Sequence, residues 1–337
     1  MHEFDLIKNY FSKLTKNNKS ALNLNDDVFF DKKKELVISV DTYNEGIHFP
    51  DFDKPYLVIK KILRATISDL ICKGVKPKYY FISGSGNKKT FSKYKLKDLT
   101  RSLFEEQKKY NIKLCGGDTT FSKKISFSIT VIGFSKKIIF RNKTKINDDI
   151  YVTGNLGDSF IGLKVIKKRI NLKKNQKNYF LDKYYKPDVQ IKLVDSLLKF
   201  SNSSIDISDG LFADLEKMIN NQNVNYEIHL DKIPISKQME MLTKKHQFKK
   251  IKMISHGDDY QILFTANKNK SRIIRSISKK LNLKITKIGR ILSSSYKSSI
   301  IDEKGRVLRV NHKGYVHHFW NLLVSFLAFF VLSGLKF

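Results

Sequence analysis

Apolar positions recur with two different periods along this chain, and the period places the elements. Between residues 4 and 14 they fall at helical spacing, at Phe4, Ile7, Phe11 and Leu14. Residues 36–40, Leu-Val-Ile-Ser-Val, form a buried-strand pattern that ends at Asp41. Residues 56–73 predict a helix, with Leu57, Ile59, Ile62, Leu63, Ile67, Leu70 and Ile71 three and four apart and Gly74 and Pro77 as the stop. A strand at 79–83, a helix at 95–110 and a short strand at 112–115 follow, the last running into Gly116-Gly117-Asp118. Residues 125–134 alternate as a strand, and 138–140 predict a further short one. After a turn at 145–149 the pattern restarts with a strand at 150–153, a glycine-containing loop and a helix at 158–168. A helix at 188–200, a loop at 205–210, a helix at 211–220 and strands near 226–230, 260–265, 284–288 and 297–301 complete it. Mixed strands and helices in two halves predict an α+β fold of two domains, 1–146 and 147–318, with the boundary near Asn147.

Composition narrows the class. At about 150 residues per domain, 337 residues give roughly two domains. Apolar residues at 41% suffice for ordinary cores. Two cysteines, Cys72 and Cys115, exclude a disulfide scaffold and a cysteine zinc cluster, and they fit a reducing cytoplasm. The net charge of +32 suggests a polyanion partner. Lysine is spread through nearly every segment, however, so the charge reads as a general bias and no specific nucleic-acid partner is expected. The acidic start, with no apolar run, is not expected to be a signal peptide. Residues 319–335 carry no charge; 17 residues as a helix reach roughly 25 Å, the lower edge of a bilayer span. The segment 319–337 is therefore read as an apolar extension, available for peripheral membrane contact or for packing against the protein or its mate.

Aspartate is distributed differently from lysine. It gathers in short loops at strand ends and helix starts: Asp26-Asp27, Asp41, Asp69, Asp118, Asp206, Asp209 and Asp258-Asp259. Each alone fits a turn or a helix cap. Together they suggest a site needing cations, because carboxylates brought together resist joint ionisation. Magnesium suits such a set, since it takes hard oxygen ligands and leaves positions open to phosphate. Gly116-Gly117-Asp118-Thr119-Thr120 adds glycines that let backbone approach a ligand, or else forms a plain glycine turn. Ser83-Gly-Ser-Gly86 lacks the ending of a P-loop and reads as a loop.

These motifs, taken in order, resemble bacterial thiamine-monophosphate kinase of the aminoimidazole-ribonucleotide synthetase superfamily. They are Leu24-Asn25-Asp26-Asp27, Ser39-Val40-Asp41-Thr42 with Glu45-Gly-Ile-His48-Phe49, and Ile67-Ser68-Asp69-Leu70. Next come Gly116-Gly117-Asp118-Thr119-Thr120, Tyr151-Val-Thr-Gly-Asn-Leu-Gly157-Asp158-Ser159, Ile205-Asp-Ile-Ser-Asp-Gly-Leu211, His256-Gly-Asp-Asp-Tyr260 and Lys313-Gly-Tyr315-Val-His-His-Phe319. The resemblance covers residues 3–319. It implies an N-terminal domain that binds ATP and magnesium and pairs through its sheet into a homodimer, and a C-terminal domain that completes the cleft. The implied reaction is direct in-line transfer of a phosphoryl group from ATP to thiamine monophosphate, giving thiamine diphosphate.

By position, the resemblance implies magnesium contacts at Asp27, Ser39, Asp41, Asp69, Asp118, Asp206 and Asp209, with Asp41, Asp118 and Asp209 closest to the chemistry. It implies nucleotide contacts at Gly117, Asp118, Arg141 and Ser208, and thiamine phosphate contacts at His48, Asp258 and Tyr315. His48 also has a plain reading as a partly buried structural histidine. Three departures stand out. The family's Gly-Asp-Asp is Asn25-Asp26-Asp27; Asn tolerates left-handed backbone, which keeps the turn available. Thr-Asp is Val40-Asp41, losing a side-chain oxygen, and Gly-Gly-Glu-Asp is His256-Gly257-Asp258-Asp259, one methylene shorter. Two other classes stay open: another ATP-using enzyme of the superfamily, or a non-catalytic basic polyanion binder on a decayed kinase scaffold.

Overall fold

The computed structural model describes residues 3–244, 248–310, 312, 314, 315 and 317. The apolar extension at 319–337 lies outside the described residues. Among those described, no helix is long and apolar enough to cross a membrane.

The chain opens with α1 (Glu3–Leu6), whose helical path continues irregularly to Thr15. Strands β1 (Phe29–Asp31) and β2 (Leu36–Asn44) lead into α2 (Pro55–Cys72). Then come β3 (Pro77–Gly86), α3 (Lys93–Tyr110), β4 (Lys113–Gly116), β5 (Thr119–Phe121) and β6 (Ser126–Phe134). These strands form one sheet in the order β1-β2-β6-β3-β4, with β5 pairing β3. A second sheet starts at β7 (Asp148–Thr153), followed by α4 (Asp158–Ile166), α5 (Lys174–Tyr185) and the single turn α6 (Val194–Leu197). It continues through β8 (Ser201–Asp206), α7 (Leu211–Ile219), β9 (Val224–His229), α8 (Lys237–Lys244) and α9 (Lys250–Ile254). It ends with β10 (Ile262–Asn267), α10 (Ser271–Leu281), β11 (Ile285–Ser293) and β12 (Ser299–Ile301), in the order β12-β9-β11-β7-β10-β8.

The hinge of this arrangement is α2. Its residues are buried on nearly every side, Val58, Ile62 and Leu63 alongside Lys60, Lys61 and Arg64. A helix buried all round sits in the middle of a core. It packs on β2 and β6 on one side and on β8 and α5 on the other, so the main apolar cluster runs through it from one sheet to the other. Among the described residues, no helix covers the other face of the first sheet. Val40 on β2 stands 62% exposed there, and Phe81 on β3, which shares its face through Thr130 of β6, is in solvent too.

Several expectations are corrected. Residues 138–140 form no strand, and Ser83-Gly-Ser-Gly86 is no loop but the end of β3. Gly84 belongs in that strand because a Cβ there would meet the Phe127 ring at 3.1 Å. The expected helix 188–200 shrinks to short turns at Ile191–Leu193 and α6. The predicted loop at 205–210 begins inside β8, whose polar Ser-Asn-Ser-Ser start hides a strand that pairs β10 residue by residue. Helices α5, α8, α9 and α10 come in addition to the expected elements.

Candidate active site

Strand geometry sends alternate side chains to one face. Ser39, Asp41 and Tyr43 of β2 therefore point together toward α2, while Val40 points away into solvent. The departure at Val40 thus falls on the opposite face of the sheet from Asp41. On α2, Asp69 meets this row: the Ser39 hydroxyl donates to Asp69 at 2.5 Å. Ser68, one position earlier, donates to Asp206 at the end of β8. Tyr43 donates to Asp41 at 2.7 Å and is itself held by Thr66 at 2.9 Å. Three elements from both halves of the chain so converge on one cleft of about 610 Å³. Asp27, Arg141, Ser208, Asp209, His48, Asp258 and Tyr315 line it too.

The carboxylates differ in how their charge is met. Burial works against an ionised Asp27, but Lys73 and Arg141 outweigh it and hold this group well below the usual range. Lys73 Nζ lies 2.7 Å from Asp26 and 2.8 Å from Asp27, with no exposed side-chain surface. Arg141 donates to Asp27 and to Asn25, both at 3.1 Å. Asn25 has φ −114°, so it does not supply the left-handed turn expected of it; Leu22, Asn23 and Leu24 take that conformation instead. Asp41, Asp69 and Asp206 have no such cation among the described ion pairs. Burial is the largest cause raising each. Asp206 is pushed up to about 8, with Asp27 adding repulsion, and Asp69 stands well above its ordinary value beside Asp41 and Asp206.

On the far wall, Asp258 sits in a loop pinned to the Ser208 strand end. Its N–H donates to Ser208 O at 2.8 Å, and Tyr260 N–H donates to Ile207 O at 2.8 Å. Asp258 and Tyr260 have φ +68° and +50°, which few non-glycine residues adopt. Gly257 is required just before them, because a Cβ would run into the Ser208 carbonyl. The Asp258 carboxylate pairs with Lys61 of α2, whose Nζ also lies 4.1 Å from the centre of the Tyr184 ring. His48 accepts the Asn44 N–H at 2.9 Å on Nδ1, with Tyr43 edge-on and His317 beside it. Burial, then His317, lowers its pKa, so this ring is neutral at pH 7. His256 stacks on Phe160 at 3.8 Å and burial pushes it down to about 4, giving a second neutral aromatic pair in the cleft. Tyr315 N–H donates to Asp209 O at 3.0 Å, which seats the last described segment on the same wall.

Gly117 and Asp118 are placed elsewhere. Both are exposed, in the turn between β4 and β5, and Asp118 caps its own turn by accepting Thr119 N–H at 2.8 Å. A Cβ at Gly117 would collide with the Ile82 carbonyl, so glycine there serves close packing on β3. Asp41 is opposite Ile129, Ile129 opposite Ile82, and Gly84 bonds Asp118. Three strand spacings, about 14 Å, therefore separate the Asp41 and Asp118 backbones. A second cavity of about 630 Å³, between α3, the 187–192 segment and the start of α4, contains none of the expected site residues.

Lys61, Lys73 and Lys217 were not among the expected site residues. Lys61 of α2 and Lys73 just past its end lie in a stretch that also carries Lys60 and Arg64, so residue type alone does not set them apart. The donor set suits magnesium in kind, with buried carboxylates and a serine hydroxyl and no soft ligand. As they stand, no three carboxylate, histidine or cysteine side chains among the described residues close around a single point.

Residues 24–135 match the family model "AIR synthase related protein, N-terminal domain". The chain is 32% identical to a thiamine-monophosphate kinase of Buchnera aphidicola subsp. Acyrthosiphon pisum, over 94% of this chain and 98% of that one. It is similar to the AaThiL structure complexed with AMPPCP and TMP, with a TM-score of 0.80, 26% identity and coverage of 94% and 97%. It is similar as well to the crystal structure of thiamine monophosphate kinase from Aquifex aeolicus, with a TM-score of 0.75, 25% identity and coverage of 91% and 99%.

Proposed function

The chain belongs to the thiamine-monophosphate kinase family, and from that premise we propose that the cleft between its two sheets carries out the family's reaction. The enzyme transfers a phosphoryl group from ATP to thiamine monophosphate, yielding thiamine diphosphate and ADP. The observation that carries the assignment to this cleft is convergence: β2, α2, β8 and the Asp258 loop each bring a polar side chain to one space.

The chemistry follows from charge. The acceptor is already a phosphate oxyanion, so no strong general base is required, and the obstacle is repulsion between two anions. Asp41, Asp69 and Asp206, with Ser39, would hold magnesium, which would supply the positive charge that draws the two phosphates together, with Asp27 and Asp209 beside them. Arg141 offers a planar fork of donors for nucleotide phosphate, now occupied by Asp27 and Asn25. Ser208 lines the same cleft, its carbonyl held by the Asp258 N–H. Asp258 supplies negative charge for a cationic ring, and Tyr315 and the neutral His48 supply aromatic faces for it. These ring contacts adjoin the carboxylates, since His48 packs on Tyr43, the partner of Asp41, and Tyr315 is bonded to Asp209.

The two domains, 1–146 and 147–318, belong to the same proposal; the start of the second sheet at β7 supports the boundary. So does a homodimer, supported by the open face of the first sheet with Val40 and Phe81 exposed on it. Two unpaired cysteines support a cytoplasmic location. Membrane contact through 319–335 is a separate proposal, tested by fractionating full-length protein against protein truncated at Phe319. Equal solubility removes it.

A coupled assay with magnesium-ATP and thiamine monophosphate tests the whole reading. ADP and thiamine diphosphate should form together, and Asp41→Asn should remove most turnover while leaving the melting temperature within a few degrees. Unchanged turnover in Asp41→Asn would overturn the role given to the β2 carboxylate.

A further inference from the structure

Two lysines sit among the cleft carboxylates where small cations would be expected. Lys73 Nζ has three oxygens around it, Asp26 at 2.7 Å, Asp27 at 2.8 Å and the Ser204 carbonyl at 2.9 Å, and its side chain has no exposed surface. Lys217 of α7 reaches back to pair with Asp209 and, at 2.8 Å, with Asp214. Asp214 is spoken for besides, because it accepts the Asp209 and Gly210 N–H groups at 3.0 Å. Lys217 thus lies against the Asp209 carboxylate on the cleft wall, with only 15% of its side chain exposed.

An ammonium ringed by oxygens at 2.7–2.9 Å is a tethered monovalent cation. It satisfies carboxylates that a metal would otherwise have to neutralise, and it excludes a metal from the same oxygens by charge and by volume. Asp27 and Asp209 both lie near enough to Asp41 to repel it, and each has an ammonium on it. Asp41, Asp69 and Asp206 have hydroxyl partners only, among the described residues.

We propose that Lys73 and Lys217 are built-in cations that occupy the cation positions at Asp27 and Asp209, so that this chain takes up divalent ions only at Asp41, Asp69 and Asp206. The inference rests on the reading that the cleft binds magnesium. It adds that two of the carboxylates assigned to metal, Asp27 and Asp209, are held by the protein's own ammonium groups. Their function is to keep these two carboxylates neutralised and in place before any ion or nucleotide enters, which lowers the number of ions the enzyme must collect.

The test counts bound ions. Full-length protein is titrated with Mn²⁺ in the presence of a non-hydrolysable ATP analogue, and free Mn²⁺ is read by electron paramagnetic resonance. Wild-type binding checks the underlying reading: no bound Mn²⁺ sinks that reading, whatever the lysines do. Lys217→Gln should then bind one more Mn²⁺ per chain than wild type. Lys217→Arg keeps a cation in place and should not. Lys167→Gln, which removes an exposed charge from the rim of the same cleft, should not either, which separates a vacated site from a general loss of positive charge. Should Lys217→Gln melt below the assay temperature, Lys73→Gln is counted in the same way, with the same gain expected. An unchanged count in Lys217→Gln, or an equal gain in Lys167→Gln, overturns the proposal.

Discussion

The Lys61 ammonium, 1% exposed on α2, pairs with the Asp258 carboxylate from the opposite wall of the cleft. One residue belongs to the first half of the chain and the other to the second, so the pair ties the halves together where the substrate's ring is proposed to bind. Burial pulls Lys61 toward its neutral form, and Asp258 opposes that. Lys61→Met keeps the volume and removes the charge. Asp258 remains 29% exposed and is partly rescued by water, so the stability loss should be about 1–2 kcal/mol. The larger effect should be on thiamine monophosphate, whose KM rises about 10-fold or more as Asp258 loses its position, with the KM for ATP near wild type. Equal changes in both constants would place Lys61 outside ring recognition. Steady-state kinetics at varied concentrations of each substrate decide it.

Glu106 on α3 is fully buried and takes Arg64 Nε at 2.7 Å and Lys60 at 3.0 Å from α2. Burial favours its neutral form, but Arg64 and Lys60 outweigh this and hold the carboxyl below its ordinary value. Its stabilisation is therefore complete above the unfolded pKa near 4.3 and is lost as pH falls through the lower folded value. Glu106→Gln leaves two buried cations short of a partner and should cost about 3–5 kcal/mol at pH 7. Between pH 5 and 3 the wild type should lose part of this advantage. Chemical denaturation of both proteins across that range measures the difference, which should narrow toward acid.

Asp69 is placed for function at the expense of the empty fold. It is buried beside Asp41 and Asp206 with only the Ser39 hydroxyl as a described partner. Asp69→Asn keeps the shape and that contact while removing a carboxylate from a crowded set. The protein without metal should melt about 2 °C or more higher. Magnesium with nucleotide should raise the wild-type melting temperature further, and should raise that of Asp69→Asn much less. Turnover of Asp69→Asn should fall at least about 100-fold. A variant that is both less stable without metal and still active contradicts the role given to Asp69.

What was legible in the sequence tracks how local the cause is. The helix at α2 and the strands β2 and β6 follow from periodicity because one partner surface fixes each face. Strand β8 was hidden, since Ser201-Asn-Ser-Ser204 carries no apolar signal and its pairing with β10 is sixty residues away in the chain. The site residues Asp41, Asp69 and Asp206 were found because aspartate clusters in the sequence, although the structure puts Asp41 mid-strand and Asp69 inside α2. Lys61, Lys73 and Lys217 were not, because a lysine in a chain with 64 Lys and Arg attracts no notice until its burial is known. The positions of Gly117 and Asp118 mark a different limit. Motif order placed them in the active site, but the chain alone keeps them exposed in the turn between β4 and β5, outside the cleft lining.

That separation leads to the last prediction. About 14 Å of sheet lies between the Asp41 and Asp118 backbones, and their strands do not move independently, since β2, β6 and β3 are bonded along their lengths. If Asp118 serves nucleotide binding, pairing of two chains through the uncovered face is the simplest way to bring it to a cleft, and it then serves the partner's cleft. Asp118→Asn and Asp41→Asn should each be nearly inactive alone. Co-expressed with different tags, half of the dimers carry one of each. In such a dimer one cleft combines both lesions, while the other combines an intact Asp41 with an intact Asp118 from the other chain. Activity should therefore return to about one quarter of wild type in the mixture, and about one half in purified mixed dimers. Were Asp118 to act within its own chain, every cleft in the mixed dimer would retain one lesion and activity would stay near zero. A monomer in sedimentation at the assay concentration, with full activity, would remove the dimer from the argument altogether.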